Sequence, residues 1–108
     1  MTMARALVNI PPKAKRGAVI EIKTLISHPM ETGYRHDETG RAYPRDIINR
    51  FVCTYNGVEV FRADLFPAIA ANPFISFFTV ATESGAIALS WTGDDGHTQI
   101  ETANITVE

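Results

Sequence analysis

The feature that most constrains this chain is alternation. Apolar and polar residues trade places every second position over short runs, and turn-forming residues punctuate those runs. A period of two is the signature of a half-buried strand, because successive side chains point to opposite faces. Ala18 to Ser27 shows it best. Ile20, Ile22 and Ile26 share one face, and Glu21 and Lys23 share the other. Ile47 to Tyr55 repeats the pattern with Phe51, Cys53 and Tyr55. Ala86 to Thr92 repeats it with Ile87, Leu89 and Trp91. Shorter or less regular runs at Ala6 to Ile10, Val58 to Arg62, Phe74 to Ala81 and His97 to Val107 complete the set. Asn56-Gly57 between two of the runs is the strongest short hairpin signal, since both residues tolerate positive φ. About seven short strands with turns between them predict an all-β, immunoglobulin-like sandwich. Ile20, Ile22, Phe51, Ile87, Leu89 and Trp91 are its expected core.

Two segments do not alternate. His28 to Asp46 is a polar excursion rich in charge, glycine and proline, read as a mobile hairpin. Loops of that length in compact domains are uncommon and often functional. Ala63 to Asn72 contains enough alanine for a helical turn, but Pro67 and Pro73 limit it. No repeat or interdomain linker interrupts the 108 residues, so residues 1–108 are expected to form one domain.

Composition excludes several classes of function. The formal net charge is −2, which gives no electrostatic footprint for nucleic acid or an anionic membrane. Lys13 to Arg16, beside Pro11-Pro12, reads as a solvated turn. No apolar run approaches the roughly 20 residues of a membrane-crossing helix. The segment Met1 to Ile10 has no apolar stretch of signal-peptide length, so the chain is expected to carry no export signal of its own.

Residues that could carry chemistry are few. Cys53 is the only cysteine. A nucleophilic thiol needs a nearby cation, imidazole or helix N-terminus, and Cys53 lies between Phe51 and Tyr55 on a core face, which predicts an inert thiol. His28, His36 and His97 are scattered, whereas metal sites want three or four converging ligands, so they read as solvated loop residues. Asp94-Asp95-Gly96 reads as a hairpin turn and not a cation loop. No catalytic residue, metal or cofactor is expected. Phe74, Phe77 and Phe78 pose a different question. Phe77 and Phe78 are adjacent and must point to opposite faces, while a sandwich has one dry interior. One of them needs cover from a loop or from a partner, and the three phenylalanines are therefore the candidate partner-binding residues.

Leu25-Ile26-Ser27-His28-Pro29-Met30-Glu31-Thr32-Gly33 resembles a signature stretch of the SoxZ family. The resemblance continues in Pro44 to Phe51, Asn56-Gly57, Asn72-Pro73-Phe74 with Phe77, and Trp91 to Gly96. Thr92-Gly93 is less acidic than the family's turn. The resemblance implies an immunoglobulin-like, non-catalytic subunit that pairs with a SoxY-like chain. That partner's glycine-flanked terminal cysteine holds sulfur intermediates during thiosulfate oxidation and presents them to other periplasmic Sox enzymes. It also implies a periplasmic location reached by export with the partner. Here the chain ends Asn104 to Glu108 without such an arm, so the cargo cysteine is expected on the partner. Alone, the chain is expected either to self-associate or to be poorly behaved. The alternative reading is a sandwich module that binds a protein or carbohydrate ligand, which the fold alone would allow.

Overall fold

The computed structural model describes residues 5–108; Met1 to Ala4, the start of the segment read for an export signal, lie outside it. The described residues form eight strands and no helix. They are β1 (Arg5–Asn9), β2 (Lys13–Ala14), β3 (Val19–Ser27), β4 (Ile48–Tyr55), β5 (Val58–Asp64), β6 (Phe74–Val80), β7 (Gly85–Gly93) and β8 (Thr98–Val107). One sheet has the order β1-β3-β6 and the other β2-β8-β7-β4-β5. Every pairing is antiparallel except that of β2 with β8. This is the all-β, two-sheet sandwich that alternation predicts.

The core lies between the sheets. β3 contributes Ile20, Ile22 and Ile26, and β7 contributes Ile87, Leu89 and Trp91, all buried. Thr24 sits on the inner face of β3 and escapes a desolvation penalty because its hydroxyl donates to the Ile75 carbonyl at 2.9 Å. Phe51 of β4 occupies the centre. Its ring is 5.3 Å from Trp91, 6.0 Å from Phe61 and 5.9 Å from Phe77. Phe61 and Phe77 lie face to face at 4.4 Å with an 8° interplanar angle. Phe77 belongs to the smaller sheet and the other three to the larger, so the aromatic cluster clamps the two layers together. Aromatic pairs in such geometry add to the gain from buried area.

Turn chemistry fixes the register around this core. Asn56 and Gly57 have φ of 50° and 83° and close the β4–β5 hairpin. The Asn56 side chain then reaches across to the β6–β7 turn, accepting the Ala86 N–H at 3.0 Å and donating to the Ser84 carbonyl at 3.3 Å. A Cβ on Gly85 would sit 1.7 Å from Asn56 Oδ1, so only glycine admits this bond. The Tyr55 hydroxyl donates to the Glu83 carbonyl beside it.

Two segments differ from expectation. Lys13 and Ala14 form a parallel strand on β8 instead of a free turn. The Pro12 carbonyl accepts from Thr106, and Ala14 accepts from Glu108. Two residues are too few to show a period, so the pairing leaves no trace in the sequence. Between β5 and β6, residues 65–73 hold bends and turns with no helix, since the flanking prolines leave too little length.

Truncating the clamp tests this account. Phe51→Ala should cost about 3–5 kcal/mol, the usual range for deleting a buried phenylalanine. The check is the shift in chemical-denaturation midpoint; a shift no larger than that of a surface substitution would show that Phe51 is not the centre of the core.

Candidate docking surface

The outer face of the smaller sheet carries several exposed apolar side chains. Cross-strand neighbours stack Leu7, Leu25 and Phe74 in one row and Val19 and Val80 in another. Phe74 and Phe78 are 61% and 66% exposed, and Leu7 and Val19 are comparably open. A groove of about 260 Å³ runs between Leu7, Asn9, Lys23, Leu25 and Phe74. Polar groups occupy the middle of the face: the Ser76 hydroxyl donates to Glu21 at 2.9 Å, and Lys23 lies 3.7 Å from the same carboxylate. Apolar side chains around a paired polar centre fit an interaction patch better than a solvated surface.

Phe77 is a correction to the expected partner-binding set. It is 5% exposed and stacked in the clamp, so it stabilises the fold and presents nothing to a partner. Of the adjacent pair, the structure sends Phe77 inward and leaves Phe78 in the open. The segment between β5 and β6 does not cover Phe78.

A second feature lies at one end of the sandwich, where the His28 to Asp46 excursion is tied down. The excursion is a hairpin, with antiparallel bridges Glu31 to Asp46 and His36 to Ala42. Asp94, in the β7–β8 turn, holds its base. Asp94 accepts from Arg45 Nε and Nη2 at 2.8 and 2.9 Å, from Asn49 Nδ2 at 3.0 Å, and from the Ile47 N–H at 3.2 Å. Asn72 holds the other side: its N–H donates to the His28 carbonyl at 2.7 Å, and its side chain accepts the His28 N–H. Met30 anchors the inside of the bend, with φ of 54°, 4% exposure and its sulfur accepting the Ile48 N–H at 3.2 Å. In the sequence Asp94 carries the signal of a turn residue only. Its partners lie 45 and 49 positions away, beyond any local signal.

The cysteine and the three histidines lie apart. Cys53 has no exposed surface, and burial pushes its thiol up to about 11. His28 Nδ1 accepts the Met30 N–H at 3.0 Å, while its Nε2 lies 3.9 Å from Asp46. His36 and His97 are exposed on different turns. Among the described residues no three His, Cys, Asp or Glu side chains gather as a metal site. Among the described residues no helix is long and apolar enough to cross a membrane.

The sequence matches the family described as "Sulphur oxidation protein SoxZ" over residues 8–104. The chain belongs to the SoxZ family. Several of the stretches that carried the resemblance meet at the Asp94 end of the sandwich: His28 to Glu31, Arg45 to Asn49, Asn72 and Asp94 are linked there, while Asn56-Gly57 lies against the β6–β7 turn. No curated protein sequence matches the chain. Among solved structures, a superoxide reductase (neelaredoxin) from Ignicoccus hospitalis superposes with a TM-score of 0.74 at 17% identity, covering 95% of this chain and 80% of that one. The sulfur carrier protein SoxY from Chlorobium limicola f thiosulfatophilum superposes with a TM-score of 0.65 at 13% identity, over 95% and 78% of the two chains. Likeness at such identity shows a shared fold and transfers no activity. Family and fold together make this SoxZ-family chain a sulfur-oxidation subunit.

Two outcomes follow. Cys53 should not react with a thiol-specific disulfide reagent at neutral pH while the protein is folded, and should react once it is denatured; rapid labelling of the native chain would contradict its burial. Asp94 gives a pH dependence. Burial alone would raise its pKa, but the bonds from Asn49, Arg45 and Ile47 outweigh that and hold it below the usual carboxylate value. A lowered folded pKa means that its stabilisation is present above the unfolded carboxylate pKa and is lost as pH falls through the folded one. Amide exchange at Glu31 and Asp46 should therefore accelerate in that acid range, and Asp94→Asn should accelerate it already at neutral pH. Unchanged exchange in both experiments would show that the hairpin is held elsewhere.

Proposed function

We propose that this chain is a non-catalytic scaffold subunit that pairs with a SoxY-like chain to form the carrier of covalently bound sulfur intermediates in thiosulfate oxidation. Membership of the SoxZ family across residues 8–104 carries this reading. Three features of the chain support it. Its one cysteine is buried and protonated, which suits a subunit whose cargo is held by another chain. Cys53, His28, His36 and His97 lie apart among the described residues, which suits a subunit that works through association. And Phe74, Phe78, Leu7 and Val19 offer an apolar surface of the kind that lasting interfaces bury. Other Sox enzymes would meet this subunit only through the pair. The pair would work in the periplasm, reached by export with the partner.

Co-expression with a SoxY-like chain tests the proposal. The two should co-elute as a heterodimer, and replacing both Phe74 and Phe78 with alanine should weaken the pair by roughly 2 kcal/mol or more, as loss of central aromatic anchors does. Cys53→Ser should leave thiosulfate-dependent turnover of the reconstituted system unchanged. Elution of two folded monomers with no complex at micromolar concentration would defeat the scaffold reading.

A further inference from the structure

The two sheets end, on one side, in strands of opposite character. β5 closes the larger sheet and β6 the smaller. A free strand edge displays unpaired N–H and C=O groups, and proteins blunt such edges with charge, bulges or cover. β5 is blunted. Its register slips between Cys53 and Thr54, leaving Val60 as a bulge, and it carries Glu59, Arg62 and Asp64, ion-paired within the strand and to Arg50. β6 has no such device: Phe74-Ile75-Ser76-Phe77-Phe78-Thr79-Val80 contains no charge and no proline.

The phase of the β3–β6 ladder says which groups are free. Ile26 N–H donates to the Pro73 carbonyl and Ala81 N–H to the Ala18 carbonyl. In an antiparallel ladder residues alternate between facing one neighbour and facing the other. Pro73, Ile75, Phe77, Thr79 and Ala81 therefore face β3, and Phe74, Ser76, Phe78 and Val80 turn their N–H and C=O groups outward. None of those outward groups has a partner among the described residues. The side chains of the same residues are exposed on the outer face.

The edge is also self-complementary. Rotate a second copy about a two-fold axis through Phe77, and β6 meets β6 antiparallel. Phe74 then faces Val80 of the second copy, and Ser76 faces Phe78 of the second copy. Each outward-facing residue meets an outward-facing residue, so every free N–H finds a free C=O. The cross-strand neighbours are aromatic, aliphatic or hydroxyl, and no like charges meet. The two smaller sheets merge into one.

We propose that β6 is a strand-addition edge and that, in the absence of another chain, it pairs antiparallel with β6 of a second copy. The inference does not rest on the SoxY reading, because it needs this chain alone.

The experiment measures mass in solution over a micromolar concentration series for the wild type, Ser76→Pro and Arg62→Pro. Ser76→Pro deletes an outward N–H without touching the β3 ladder, and Arg62→Pro does the same on the β5 edge. The wild type and Arg62→Pro should dimerise, and Ser76→Pro should dissociate about tenfold or more readily, since each two-fold pair loses two symmetry-related hydrogen bonds. Amide exchange gives a readout that survives if the proline variant fails to fold. At dimer concentrations the Phe74, Ser76, Phe78 and Val80 amides of the wild type should be protected, and dilution should release them while Ile75, Phe77 and Thr79 stay protected. A wild type that remains monomeric, or a dimer whose even-numbered β6 amides exchange freely, would overturn the proposal.

Discussion

The contact between Phe77 and Phe61 holds the logic of this molecule. It is the point where the smaller sheet keys into the larger, with Phe51 and Trp91 packed around it. Side chains in a strand have a period of two, so a single inward residue fixes the direction of every other one. Phe77 inward means Phe74 and Phe78 outward. The same parity decides which backbone groups of β6 are spent on β3 and which are left over. The apolar outer face and the open edge are thus one consequence of one packing choice, and slipping β6 by a residue would exchange core and surface together.

A different interaction organises the other end. Asp94 gathers four hydrogen bonds from Arg45, Asn49 and the Ile47 backbone. In doing so it converts a long polar excursion into a hairpin with a fixed root. A carboxylate that accepts bidentate arginine and a backbone amide at once is a strong, geometrically specific anchor. Its ionised form is favoured by the partners it holds, which is why the carboxyl and the hairpin respond to acid together. Asn72, in the loop before β6, and Met30 brace the same root from outside and from within.

What could be read from the sequence follows from the range of each signal. Alternation is local, so Ile20, Ile22, Phe51, Ile87, Leu89 and Trp91 were legible as core, and Asn56-Gly57 was legible as a hairpin. The choice between Phe77 and Phe78 was not, because the two side chains are identical and the register that separates them depends on strands far away in sequence. Asp94 was legible as a turn residue and not as an anchor for the same reason. The pairing of Lys13 and Ala14 was hidden by its shortness. The candidate site was half visible: a surplus of aromatic residues pointed to β6, while the contrast between a charged β5 edge and an uncharged β6 edge needed the sheet order to give it meaning.

The position of Cys53 has a consequence for traffic. A system that passes sulfur between cysteines works only if cargo has one place to go, since any accessible thiolate will attack a persulfide or disulfide sulfur. A carrier subunit with a reactive thiol on its own surface would compete with its partner for every load. On the reading proposed above, placing this thiol between Phe51 and Tyr55 insulates the route. The scaffold can sit beside the cargo indefinitely and remain a wall, never a siding.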